Sequence, residues 1–123
     1  MNKRLIIERK HDFDIEARTL KTHWKSLLNI DVPSLRYILI YDVFNIDEDL
    51  LTKSLDGIFS DSNKDRILDN LPSTQNQIVI EPLPGQFDQR ADSAMQCLKL
   101  INPTSNTIVT SAYGYFFDED IDN

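Results

Sequence analysis

An apolar run that ends in Pro82-Leu83-Pro84-Gly85 constrains the fold of this chain more than any other feature. Proline cannot donate to a sheet ladder, so the strand that carries this run must end at a sheet edge or leave the sheet. Polar residues follow the turn, and apolar residues then recur with helical spacing at Ala91, Ala94, Met95, Leu98 and Ile101. The pattern predicts a strand over 77–83, a tight turn, and a helix over about 88–102.

Three further segments have the composition of strands. A short β-branched run occurs within 4–9, and another strand is expected over 106–117. The segment 35–44 is rich in aromatic and β-branched residues on both alternating faces, which predicts a long central strand.

Two more helices are predicted between these strands. Asp14 is the expected cap of the first, which should end near 29–33, and 47–49 (Asp-Glu-Asp) should cap the second. The polar segment 60–70 is expected to be a loop or a short irregular helix. The expected buried stripe of the first helix is Ala17, Leu20, Trp24, Leu27 and Leu28, and that of the second is Leu51, Leu55, Ile58 and Phe59.

The two halves of the chain repeat one pattern. Phe13-Asp14 and Phe87-Asp88 each open a helix, and the apolar positions that follow correspond at an offset of 74 residues. Residues 46–50 correspond to 117–121 at an offset of 71. The copies span approximately 3–70 and 77–123, so the second stops at a helix start. This indicates either a fragment of a longer polypeptide or a degenerate second copy.

The repeat predicts the fold class. We expect one α+β domain over 1–123, built from a tandem strand–helix–strand–helix unit. Its sheet should have about four strands, mainly antiparallel, with the helices on one face.

Charge and cysteine content exclude several classes of function. The formal net charge is −7, which would repel a nucleic acid, because binding to phosphates depends on Lys and Arg. The single cysteine cannot form an intramolecular disulfide, and no signal peptide or membrane span is evident. We therefore expect a cytoplasmic protein with no nucleic-acid or membrane partner.

The residues offer little catalytic chemistry. Cys97 could be a nucleophile beside His11 or His23, but it borders the buried helical stripe, where a free cysteine usually acts as a small hydrophobe. Residues 61–65 begin like a calcium loop, yet Arg66 and Pro72 occupy the places of the required Gly and Glu. No catalytic, cofactor-binding or metal-binding residue is expected.

The run Gly85-Gln86-Phe87-Asp88-Gln89-Arg90-Ala91-Asp92-Ser93-Ala94 resembles the amino-terminal domain of the large, single-chain phosphoribosylformylglycinamidine synthases. Close agreement is confined to residues 82–97 and the short run 41–43, and elsewhere it is only a similarity of pattern. The resemblance implies a domain similar to two fused copies of the small accessory subunit, paired as a pseudo-dimer. The parent enzyme makes formylglycinamidine ribonucleotide in purine biosynthesis, using ATP, Mg²⁺ and ammonia from glutamine.

In that family the domain is non-catalytic and packs between the synthase and glutaminase domains, supporting ammonia transfer. The resemblance therefore implies an interdomain contact segment with Pro84, Gly85, Gln86, Phe87, Asp88, Gln89, Arg90, Asp92 and Ser93 as contact residues. Tyr113, Tyr115 and Phe117 alternate onto one strand face and form a second candidate surface, through which the chain could self-associate.

Three alternatives remain open from the residues alone. The contact segment could be a capped, solvent-facing helix start that needs no partner. The chain could instead be a free-standing accessory or regulatory ligand-binding module. A small cysteine hydrolase, which would use Cys97, is the third.

Overall fold

The computed structural model describes residues 1–10 and 13–118. These form one five-stranded antiparallel sheet, in the order β3-β1-β2-β5-β4, with three α-helices. The α+β class is confirmed, whereas the predicted number of strands was one too few. The elements are β1 (Lys3–Arg9), α1 (Ile15–His23) with a π-helical turn (Trp24–Leu28), β2 (Arg36–Phe44), α2 (Glu48–Ser54), β3 (Asp65–Leu68), β4 (Asn76–Ile80), α3 (Gln89–Ile101) and β5 (Ile108–Phe117).

The additional strand is β3, in the segment predicted to be a loop or an irregular helix. It pairs with β1 and is held partly by side-chain ion pairs, such as Arg9 Nε to Asp65 Oδ1 at 3.2 Å. Arg66 also reaches Glu8 on β1, with Nη2 at 2.8 Å from Oε1. Because two of its four residues are charged and face partners on β1, the strand lacks the apolar alternation by which strands are recognised.

All three helices lie on one face of the sheet, as predicted. Residues of α2 and α3, including Leu50 and Leu98, pack on Leu5, Tyr41 and Val109 of that face. The π-helical turn after α1 places Trp24 edge-on to Phe117, with ring centroids 5.2 Å apart. The core therefore lies mainly between the sheet and the helices.

The opposite face is covered by the connection from β3 to β4. These strands lie at opposite edges of the sheet, so residues 69–75 must cross it. Leu71 in this connection packs with Ile6, Ile38 and Phe116 on the helix-free face. The connection thus takes the place of a second helical layer.

The predicted helix caps have different outcomes. Asp47 accepts a hydrogen bond from Leu50 N–H at 2.7 Å, so its role as the cap of α2 is confirmed. Asp14 occupies the N-cap position of α1 as predicted, but its carboxylate makes no capping hydrogen bond and instead pairs with Arg18 at 3.0 Å. An ion pair with the first turn of the helix takes the place of the side-chain cap.

The predicted buried stripes are only partly realised. Leu27 and Leu28 are exposed, because the π-helical turn adds a residue per turn and rotates them away from the sheet. Ile101, in the last turn of α3, is exposed as well. The first helical segment nevertheless ends where predicted, with Asn29 in the left-handed conformation at φ 53°.

No helix within residues 1–10 and 13–118 combines the length and apolar character needed to cross a bilayer. The expected helix start at 118–122 lies outside the described residues except for Asp118, whose carboxylate accepts a hydrogen bond from Gln75 N–H at 2.8 Å.

Candidate functional site

The Pro-Gly turn after β4 forms as the sequence predicts. Gln86 N–H donates to the Leu83 carbonyl at 2.9 Å, and Gly85 has φ 86°. Proline at the second position and glycine with positive φ at the third are typical of a type II turn. The Gln86 side chain closes the same turn by accepting from Leu83 N–H at 2.8 Å. The turn therefore directs the chain away from the sheet and into α3.

Asp88 connects the start of α3 to the central part of β5. Its Oδ1 accepts from Ala91 N–H at 2.9 Å and from the Ser111 hydroxyl at 2.7 Å, while Oδ2 accepts from Ser111 N–H at 2.8 Å. Because β4 ends at Ile80, opposite Tyr113, Ser111 has no partner in β4. The Asp88 carboxylate therefore accepts the Ser111 N–H hydrogen bond that a neighbouring strand would otherwise accept.

The same contacts control the ionisation of Asp88. Partial burial raises its pKa, but the hydrogen bonds from Ala91 and Ser111, together with the nearby Arg90 charge, outweigh burial and hold the pKa below its ordinary value. Asp88 is therefore a carboxylate at neutral pH, with its oxygens already engaged by three donors.

An apolar surface borders this helix start. Ile78 and Ile80 on the edge strand β4 are 45% and 41% exposed, and Phe87, just before α3, is 74% exposed. We call these three residues the β4 patch. Exposed apolar side chains along an unpaired strand edge are typical of a surface that another protein element covers.

A cleft of about 910 Å³ lies beside the β4 patch. The beginning of α3 forms one wall, the end of β4 and the middle of β5 form the second, and the segment after α2 forms the third. The lining includes Tyr41, Gly57, Ile58, Ile80, Glu81, Phe87, Asp88, Gln89, Arg90, Ser93, Cys97, Ser111 and Tyr113. The volume is sufficient for a small organic ligand.

The structure divides the predicted contact residues into three groups. Pro84 and Gly85 lie in the turn, away from the cleft, while Asp92 lies over a separate groove and accepts from the Gln96 amide at 2.7 Å. The other six line the cleft: Gln86, Phe87, Asp88, Gln89, Arg90 and Ser93. Contact of these residues with another domain stays a prediction.

The second candidate surface is largely covered by the chain itself, so the prediction of an open apolar patch was wrong. Phe117 is buried against Trp24, and Tyr113 and Tyr115 are half-buried around Tyr37. The Tyr37 ring centroid lies 5.8 Å from that of Tyr113 and 5.4 Å from that of Tyr115. The π-helical turn supplies the cover that the sequence pattern did not reveal.

Other predicted chemistry finds little geometric support. Cys97 is exposed and lines the cleft, whereas His23 lines a separate groove on α1, and His11 lies outside the described residues. In the segment resembling a calcium loop, Asp61 accepts from Asn63 N–H at 3.0 Å. Among the described residues, no group of three or more His, Cys, Asp or Glu side chains could hold a metal ion.

Sequence reasoning did not identify Tyr41 or Ser111 as parts of this site. Tyr41 lies opposite Ser111 in the β2–β5 register, which brings residues 70 positions apart into one wall. Alternation along β2 could have placed Tyr41 on the helical face. Its partner in β5 could not be predicted without the register.

Comparisons of the chain with models of known protein families, with curated proteins and with solved structures found no match. The function must therefore be inferred from the residues of this chain and from their geometry.

Proposed function

We propose that this chain is the amino-terminal assembly domain of a phosphoribosylformylglycinamidine synthase, packed between the synthase and glutaminase domains of the same cytoplasmic polypeptide. The parent activity would use ATP, Mg²⁺ and glutamine-derived ammonia, and this domain would contribute no catalytic residue. The run 85–94 supports this role through its resemblance to that family.

One observation carries the docking role: the β4 patch is exposed to solvent, and it adjoins the contact segment through Phe87, which belongs to both. Ile80 and Phe87 line the same cleft as Gln89 and Arg90. Apolar residues surrounded by groups that can hydrogen-bond are typical of interfaces between domains of one chain. In the proposed assembly, the β4 patch supplies the apolar contact and the polar side chains supply the rim.

The proposed tandem repeat and pseudo-dimer are supported by the strand order. Under the repeat, β4 corresponds to β1 and β5 to β2, and the order β1-β2-β5-β4 is symmetric about its centre.

The register supports the same correspondence. Lys3 lies opposite Val43. The residue 73 positions after Lys3 is Asn76, and it lies opposite Phe117. Phe117 follows Val43 by 74 positions, so the two pairs correspond at nearly one offset, and Val43 and Phe117 both lie on the helical face. A duplicated unit that pairs with its own copy through the equivalent strands β2 and β5 would have this arrangement.

The docking proposal can be tested in trans. A phosphoribosylformylglycinamidine synthase lacking its amino-terminal domain would be mixed with this chain, and binding would be measured by calorimetry. We expect a dissociation constant of about 1–10 µM, together with partial recovery of glutamine-dependent amidine formation. The chain alone should release no ammonia from glutamine.

Two matched variants distinguish specific docking from non-specific hydrophobic association. Phe87→Ser removes an apolar side chain of the β4 patch and should weaken binding about tenfold or more. Leu100→Ser is the control, because Leu100 is 84% exposed on α3 and is not among the residues that line the cleft. Equal affinities for the two variants, or no binding at about 100 µM, would contradict the proposal.

The cleft favours a second candidate, a free-standing accessory or regulatory ligand-binding module. Its volume of about 910 Å³ is in the range of small-molecule sites. The size of the native polypeptide discriminates between the candidates. An antibody raised against this chain should detect a band far larger than 14.3 kDa if the assembly role is right, and a band of that size if the chain is a module.

A further inference from the structure

Tyr41 presents its hydroxyl to the cleft. The residue is only 6% exposed and its ring packs edge-on to Phe59, with centroids 5.1 Å apart. Its hydroxyl makes no hydrogen bond with residues 1–10 and 13–118, and its oxygen is not enclosed, so it is accessible from the cleft that the residue lines. A hydroxyl in this position can donate to a water or to a ligand.

Further donors lie on the first two turns of α3. The Arg90 guanidinium interacts with the Tyr37 hydroxyl, but no carboxylate of the described residues is within ion-pair distance of it, so it keeps N–H groups for a ligand. The side chains of Gln89 and Ser93 have no hydrogen-bond partner in the described part of the chain. Arg90 and Ser93 are three positions apart, so they occupy neighbouring places on the helix surface.

The acceptors of the cleft are fewer and partly engaged. Asp88 already accepts from three donors, and Glu81 is an exposed residue that precedes the turn. The side chains that line the cleft therefore offer mainly hydrogen-bond donors, and these suit a ligand rich in acceptors. The negative charges on Asp88 and Glu81, which both line the cleft, limit the favourable charge of that ligand to a single anionic group near Arg90.

The rest of the cleft is suited to an apolar group. Ile58, Ala94 and the ring of half-buried Tyr113 line it, and they lie on three different elements. A flat apolar body in contact with these walls would place its anionic group toward the start of α3, where the helix dipole favours negative charge.

We propose that this cleft binds a small organic anion, whose carboxylate or phosphate accepts from Arg90, Ser93 and the Tyr41 hydroxyl while a planar apolar body packs on Ile58 and Tyr113. The anion site does not require the docking role, although Arg90 belongs to the polar rim of that surface as well as to the site. Phe87, which tests docking, also lines the cleft but is not among the side chains proposed to hold the anion.

The test is a titration of the ¹⁵N-labelled chain, followed by amide chemical shifts. Phenyl phosphate and benzoate are the probes, and neutral benzyl alcohol and inorganic phosphate are the controls that lack either the charge or the apolar body. We expect saturable shifts at Tyr41, Arg90 and Ser93 for at least one probe, with a dissociation constant of about 1 mM. Both controls should bind at least about tenfold more weakly. The probe with the lower dissociation constant shows whether the site prefers a phosphate or a carboxylate.

Variants decide whether the named donors are responsible. Arg90→Met should weaken binding of the stronger probe about tenfold or more, and Tyr41→Phe about threefold to tenfold. Lys99→Met is the charge-matched control, because Lys99 lines a different groove near the end of α3, and it should bind as the unmodified chain does. The proposal is overturned if neither probe shifts these amides at about 10 mM, or if Arg90→Met and Lys99→Met bind equally well.

Discussion

Replacing Glu8 by glutamine tests how three strands are held together at one end of the sheet. Glu8, on β1, is 6% exposed and lies on the helix-free face. Its two oxygens each accept at 2.7 Å from Arg36 of β2, and Oε1 also accepts at 2.8 Å from Arg66 of β3. The substitution keeps the shape of the side chain but removes the negative charge that both arginines share.

The expected loss of stability on Glu8→Gln depends on how buried the ion pairs are and on how many partners Glu8 has. Breaking a fully buried pair costs about 3–5 kcal/mol, because it leaves an uncompensated charge. Here the arginine side chains are 37% and 57% exposed, so water partly compensates them. We therefore expect Glu8→Gln to lower the free energy of unfolding by about 2 kcal/mol at pH 7, and the melting temperature by about 6–10 °C.

The effect should depend on pH in a defined direction. Burial alone raises the pKa of Glu8, but the hydrogen bonds and charges of Arg36 and Arg66 outweigh it and hold the pKa below its ordinary value of 4.5. A lowered native pKa contributes stability above the unfolded-state value and loses it as pH falls through the native value. The difference between variant and unmodified chain should therefore be constant from pH 7 to about pH 5 and shrink at lower pH.

Urea unfolding followed by circular dichroism, repeated at several pH values, measures the free energy of unfolding and its dependence on pH. Asp42→Asn is the matched control, because it neutralises an exposed pair in which Arg4 Nε lies 2.7 Å from Asp42 Oδ1. That control should change the free energy of unfolding by less than about 1 kcal/mol. The reasoning is refuted if Glu8→Gln costs no more than Asp42→Asn at pH 7, or if the loss fails to shrink as the pH is lowered.

Three further substitutions test other contacts by the same urea assay. Gly114→Ala should destabilise the fold by about 1–3 kcal/mol, since its Cβ would lie 2.8 Å from the buried Phe116 ring; a neutral effect would show that the sheet can relax there. Asp88→Ala should cost about 1 kcal/mol more than Asp47→Ala, because both lose a cap but only Asp88 also holds Ser111; equal losses would argue against the strand contact. Tyr41→Phe should change stability by less than about 0.5 kcal/mol, because its hydroxyl makes no hydrogen bond in the described chain; a large loss would indicate a partner for that hydroxyl.

The strand–turn–helix unit around Gly85 shows how far sequence reasoning extends. Proline, glycine and a capping aspartate act through their own backbone geometry, so their effects can be predicted without knowing the neighbours. The turn and a helix start at Asp88 were predicted on this basis, and β4, expected to end at a sheet edge or to leave the sheet, lies at the edge. Strand β2 was also predicted to be central, because apolar residues on both faces need cover on both sides.

The elements that were missed depend on distant partners. Strand β3 pairs with β1, and its Asp65 and Arg66 meet charges on that strand 56 or more positions earlier in the chain. Leu27 and Leu28 continue the helical pattern, yet a π-helical turn leaves them in solvent. The four-strand prediction failed for the same reason, since polar residues give no local sign of sheet pairing.

Local chemistry in the sequence thus determined the three helices, the four strands other than β3, how the central turn forms, and that the fold is α+β. The tertiary structure alone decided that Tyr41, Arg90 and Ser111 share one cleft, and that Asp88 completes an unpaired part of β5. The physical reason is that a turn or cap is stabilised by atoms a few residues apart. A cleft exists only once sheet register brings residues about 70 positions apart into contact.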